Sequence, residues 1–129
     1  MSERTCEQRI DDELAKVKAD IELYLNDIDV LTEGSQEHNL PPFHEYGLDF
    51  EYIEPGTFEW QECGYYSYML SYGGPSDQIR FFPNGKIEYW FMDWFDGACR
   101  DITKEEWARQ LRDIFEEMEA INWKTVQLY

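Results

Sequence analysis

Between residues 33 and 77 the chain has no lysine and no arginine, yet it carries Glu33, Glu37, Glu45, Asp49, Glu51, Glu54, Glu59, Glu62 and Asp77 there. No local cation can neutralise these groups. An unpaired carboxylate is costly to bury, so the sequence predicts that each meets water or a partner's positive charge. Cysteine is scarce as well. Cys6, Cys63 and Cys99 are odd in number and have no CxxC spacing, which argues against a disulfide framework and a zinc knuckle and suits a reducing compartment. No apolar run reaches the ~18–20 residues of a membrane span, and residues 1–7 lack the apolar core of a signal peptide. The expectation is a cytoplasmic protein, of a bacterial host if the gene is carried by a phage or plasmid. Neither GxSxG, nor HExxH, nor a phosphate-binding glycine loop occurs. Gly73-Gly74-Pro75-Ser76 lacks the lysine and the following helix of a phosphate cradle and reads as a turn. No cofactor is expected.

What the chain does have is charge and rings. Its 28 acidic and 11 basic residues give a net charge of −17. A small domain needs a magnitude of only about 2–8 for solubility, and the excess costs stability through self-repulsion. Salt adaptation or drift is one account of such an excess; use of the field is the other. Direct binding to nucleic acid or to an anionic membrane is not expected, because phosphates are repelled. Aromatic residues make up 17% of the chain, far from the ring-poor composition of disordered acidic segments. At 129 residues, the expectation is one folded domain spanning 1–129.

Residues 3–31 read as one long amphipathic helix, with Ile10, Leu14, Val17, Ile21, Leu25, Ile28 and Leu31 on one stripe. The stripe is close to heptad spacing, so a homodimeric coiled coil stands beside packing within a monomer. Residues 32–42, with Pro41-Pro42, read as a loop. Alternating rings and charges predict strands over 48–54, 65–72, 78–82 and 86–95, with a further short candidate at 57–62. Pro83-Asn84-Gly85 signals a hairpin, and Asp96-Gly97 a turn after the last strand. Thr103 and Glu106 are spaced as a capping box for a helix over 103–121. The fold class predicted is α+β: an antiparallel sheet of four to five strands, a meander over 48–95, with the N-terminal and C-terminal helices packed on it.

The sharpest functional signal is the strand at 48–54. Asp49 and Glu51 point to one face, Phe50 and Tyr52 to the other. Alternate carboxylates on a strand lie ~6.6 Å apart, and a nucleic-acid strand carries one phosphate per ~3.4 Å, so the charge spacings are of one order. Glu45, Asp49, Glu51, Glu54, Glu59, Glu62 and Asp77 are the candidate partner-binding acids. The alternative is a charged edge strand that prevents aggregation. Trp90 and Trp94, with Met92, share the face opposite Ile87, Tyr89, Phe91 and Phe95, and helices on one side leave that face open unless residues 32–46 or the tail cover it. Such rings are typical interface anchors. Enzyme signals are few: His38 and His44 beside Glu37 and Glu45 match no familiar metal spacing, and Asp93 with Asp96 is a pair that 28 acids produce by chance.

Segments 64–77 (GYYSYMLSYGGPSD) and 87–98 (IEYWFMDWFDGA) together resemble a portion of small phage- and plasmid-type proteins. The whole chain is similar in kind, by size and charge, to the acidic DNA-mimic inhibitors of mobile elements, the anti-restriction and anti-CRISPR proteins. Those inhibitors share no common motif, so no functional residue carries over. The resemblance implies a non-enzymatic inhibitor and a basic, nucleic-acid-binding host-defence target. An immunity protein that neutralises a toxin nuclease, and a small metal-dependent hydrolase built on His38 and His44, are the rival readings.

Overall fold

The computed structural model describes residues 5–126. Its first helix, α1 (Cys6–Asn26), starts at a capping box: the Thr5 side chain accepts from the Gln8 N–H while the Gln8 side chain accepts from the Thr5 N–H. Cys6, Ile10, Val17, Ile21 and Tyr24 are buried along one face. The predicted single helix is broken at Asp27, whose extended backbone ends α1 and whose carboxylate caps α2 (Ile28–Glu33) by accepting from the Asp29 N–H. A short acidic side chain favours a cap over a helix interior, and the break sends Ile28 to solvent while Tyr24 joins the core. Ile10, Val17 and Ile21 of the stripe are buried where α1 packs on the sheet and on the last helix.

After α3 (Phe43–Tyr46) come five antiparallel strands in the order of the chain: β1 (Asp49–Ile53), β2 (Tyr65–Ser71), β3 (Pro75–Phe81), β4 (Ile87–Asp93) and β5 (Asp96–Asp101). The α+β architecture, with a long N-terminal helix and a C-terminal helix on a five-stranded antiparallel sheet, agrees with the pattern of the sequence. Registers place Phe50, Tyr68, Ile79 and Tyr89 in one row across the sheet, and these point toward the helices and their core. The next row, Glu51, Ser67, Arg80, Glu88 and Asp101, points to the opposite face.

Three elements differ from the sequence reading. Residues 57–62 form turns, not a strand: after Gly56, at φ 81°, the Gln61 amide donates to the carbonyls of Ile53 and Cys63. The predicted strand 86–95 is cut at Trp94-Phe95, a two-residue turn between paired Asp93 and Asp96, so Asp96-Gly97 opens β5. The helix predicted over 103–121 is α4 (Glu106–Glu117), whose N-cap is Glu105 without a side-chain bond. Thr103 instead accepts from the Ile87 N–H and donates to the Asp101 carboxylate, which spends the expected cap on the sheet.

Residues 32–46 and 122–126 do not cover the second face. Leu40 and Phe43 join the core beside Tyr24, and Trp123 packs edge-on against Tyr66 at 5.0 Å. Part of the predicted tail, 127–129, lies outside the described residues.

Candidate functional site

Strand β1 is an edge of the sheet, with β2 on its only paired side. Alternation buries its rings and turns out its acids: Phe50 and Tyr52 pack against the core, while Asp49 and Glu51 are exposed on the face away from the helices. Phe50 is the anchor, its ring 4.5 Å from Phe115 of α4 and 5.7 Å from Tyr66. Glu45 precedes the strand in α3, Glu54 follows it, and Glu59 and Glu62 stand on the β1–β2 connection. All six carboxylate residues are exposed. Among the described residues the only ion pair any of them makes is Glu45 with His44, at 3.7 Å.

Elsewhere several acids are paired with lysine or arginine. Arg100 holds Glu7 at 2.7 Å and Asp11 at 3.0 Å, Arg9 holds Asp93 at 2.7 Å, and Lys86 holds Glu88 at 3.0 Å. Lys18 reaches Glu105, and Arg112 reaches Asp113 and Glu116. The cations are therefore used on α1, β4, β5 and α4, and the β1 side is left with uncompensated negative charge. Between Lys18 and Arg80 the sequence has no lysine or arginine, a stretch running from the second half of α1 to the middle of β3.

Asp77 does not belong to this surface. Read as a loop residue, it is in fact inside β3, because the strand begins at Pro75 rather than Gln78. A register shift between Met69 and Ser71 pairs it with Ser71. It is 7% exposed, accepting from the Tyr89 hydroxyl at 2.6 Å and from the Ser71 hydroxyl. Hydrogen bonds to two hydroxyls replace the water or cation that the sequence reading required. Burial, and then the bond to Asp77, raise the Tyr89 phenol far above its usual range.

The two tryptophans also part company. Trp90 is half-buried on the open face, its ring under the Arg80 guanidinium at 4.1 Å and its indole N–H donating to Glu88 at 3.0 Å. Trp94 sits in the β4–β5 turn, 88% exposed, beside fully exposed Phe95. Sequence periodicity put Phe95 in the core face because it assumed the strand continued. Tyr72 in the β2–β3 turn is exposed at the same end of the sheet. Missed altogether were Phe58 and Trp60, exposed rings on the β1–β2 connection; their signal was two large rings beside Pro55-Gly56, where a turn is expected.

His38 and His44 form no metal site with Glu37 and Glu45; among the described residues no group of three or more His, Cys, Asp or Glu is placed to hold a metal ion. The three cysteines are free. Burial pushes the Cys6 and Cys99 thiols up, the opposite direction to an activated nucleophile. Among the described residues no helix is long and apolar enough to cross a membrane. No protein-family model, no curated protein and no solved structure matches the chain.

Proposed function

We propose that this chain is a non-enzymatic acidic binding protein whose β1 edge occupies the cationic cleft of a nucleic-acid-binding protein, as an inhibitor of a host-defence complex of the restriction or CRISPR kind. What supports the reading is the unequal use of cations. Six exposed carboxylate residues lie along α3, β1 and the β1–β2 connection, none paired with a lysine or arginine among the described residues, while Glu7, Asp11 and Glu13 of α1 and Glu88 and Asp93 of β4 each pair with one. A field of one sign on one side of a domain speeds encounter with a basic partner and makes affinity fall with salt. The carboxylates of a strand and the phosphates of a backbone repeat on a similar scale, about 6.6 and 3.4 Å. The exposed rings nearby, Phe58 and Trp60, supply apolar contact that a phosphate chain does not.

The test is competition. The chain is titrated against a restriction endonuclease, a CRISPR surveillance complex and a toxin nuclease, each with and without duplex DNA. The reading requires one of them to bind, DNA to compete, and the triple variant Asp49→Lys, Glu51→Lys, Glu54→Lys to lose binding while staying folded. A folded triple variant that binds as well as the parent removes the β1 edge from the site.

A further inference from the structure

Among the described residues, no other base is placed as Arg80 is. It lies in the middle of the sheet on the face away from the helices, with its guanidinium carbon 4.8 Å from the Tyr65 ring centre and 4.1 Å from that of Trp90. Its Nε–H donates to Gln78 Oε1 at 3.1 Å, the same oxygen that accepts from the Ser67 hydroxyl at 2.9 Å. The strand register sets Glu88 directly opposite Arg80, where a cross-strand ion pair is expected. Glu88 is engaged otherwise: one oxygen accepts from the Trp90 indole and the other pairs with Lys86. Among the described residues, then, the terminal nitrogens of Arg80 have no acceptor and no carboxylate within 4 Å. Burial bears on the group strongly enough to lower its pKa from the ordinary 12.5.

Arg80 lines a cavity of about 490 Å³ whose other walls include Tyr65, Phe82 and Trp90 and, from the β1–β2 connection, Trp60 and the carboxylate residue Glu62. The β1–β2 connection forms one wall of it and leaves Trp60 at 86% exposure. The volume falls within the roughly 300–1,000 Å³ of small-molecule sites, which are apolar with a few aimed polar groups. The Tyr65 and Trp90 rings flank the guanidinium, whose N–H donors lie in its own plane. A planar fork of that kind matches a carboxylate, two bonds at once. A dianionic phosphate meets twice the repulsion from a domain of charge −17.

We infer that this cavity is a binding site for a small flat aromatic carboxylate, its anion forked by Arg80 and its ring system held among Trp60, Tyr65, Phe82 and Trp90. The site shares Trp60 and Glu62 with the β1–β2 connection but includes none of Asp49, Glu51 and Glu54, and it does not depend on the proposed partner.

The probes are 2-naphthoate and its neutral counterpart 2-naphthamide, titrated calorimetrically into the full chain. Naphthoate is expected to bind at least tenfold more tightly. Arg80→Gln is expected to reduce that preference to less than twofold and leave naphthamide affinity within twofold. Trp60→Ala weakens both. Indole N–H signals of the unmodified protein give a reading free of any folding defect: those of Trp60 and Trp90 shift on naphthoate addition, and that of Trp94 does not. Equal affinity for the two probes, no binding of either at millimolar concentration, or a preference retained in Arg80→Gln overturns the inference. The Asp49, Glu51, Glu54 triple variant, which abolishes the proposed partner binding, is expected to keep naphthoate affinity within twofold.

Discussion

The Cys6 backbone N–H donates to the Asp96 carboxylate at 2.7 Å and ties the first turn of α1 to the first residue of β5. The other leg of the same turn is held by Arg9, which pairs with Asp93 and lies 4.8 Å over the Phe91 ring. Clamped on both sides, the β4–β5 turn keeps Trp94 at φ 59°, a conformation that costs a bulky L-residue about 1–2 kcal/mol. Trp94→Gly removes that strain and little packing, against about 0.5–1 kcal/mol of added unfolded-state entropy. Urea unfolding is expected to show the variant about 0–1 kcal/mol more stable than the parent, since these two terms oppose. A clear loss of stability means Trp94 packs in a way its exposure does not suggest.

Acid should weaken the clamp. The N–H groups of Cys6 and Gly97 hold the Asp96 carboxyl below its ordinary 3.8, and the Thr103 hydroxyl and N–H do the same for Asp101. A carboxyl depressed in the folded state stabilises above its unfolded pKa, and the contribution disappears as pH falls through the folded value. Urea midpoints should therefore drop below about pH 4, and Asp96→Asn should flatten that limb of the profile. An unchanged acid limb in Asp96→Asn places the loss elsewhere.

Asp77 carries a different test, because its two partners are hydroxyls. Asp77→Ala leaves the Tyr89 and Ser71 hydroxyls without their acceptor in a buried place and is expected to cost on the order of 2–3 kcal/mol. Asp77→Asn keeps an acceptor oxygen, and its amide can donate to a hydroxyl oxygen, so it is expected to cost about half as much. Chemical denaturation of both variants decides. Equal losses mean that the charge, not the acceptor geometry, matters there.

The β1 acids separate two roles when they are neutralised instead of reversed. Asp49→Asn, Glu51→Gln and Glu54→Gln together remove like charges from one edge and should raise the melting temperature at low salt, with the gain shrinking as salt is added. Light scattering reads the second role. Edge protection alone predicts concentration-dependent self-association of the neutral variant. A partner surface predicts a monodisperse variant that no longer binds.

The sequence was most legible where one physical rule acts alone. Alternation in 48–54 located β1 and its outward acids, and Pro83-Asn84-Gly85 located the β3–β4 hairpin, whose Gly85 has φ 91°. It was least legible where a tertiary contact overrode a local preference. Trp94 looks like strand, and only the attachments of Asp93 and Asp96 to α1 turn the chain there. Thr103 looks like a helix cap and is drawn to the sheet by Ile87. Asp77 looks like a solvated loop acid, since its Tyr89 and Ser71 partners become visible only once the register is known. Of the proposed site, the carboxylates could be read from missing cations. Arg80 could not, because its distinction is that Glu88 faces it and bonds elsewhere.

Each strand of this sheet is bonded to the one made just before it, so the meander can assemble as the chain is synthesised. Helix α1 cannot follow that order. It rests on β4 and β5, whose last residue, Asp101, is translated long after Cys6. For that interval the apolar stripe of Ile10, Val17 and Ile21 has no final seat. Like charges flanking an exposed apolar stripe oppose association between chains until the sheet is in place.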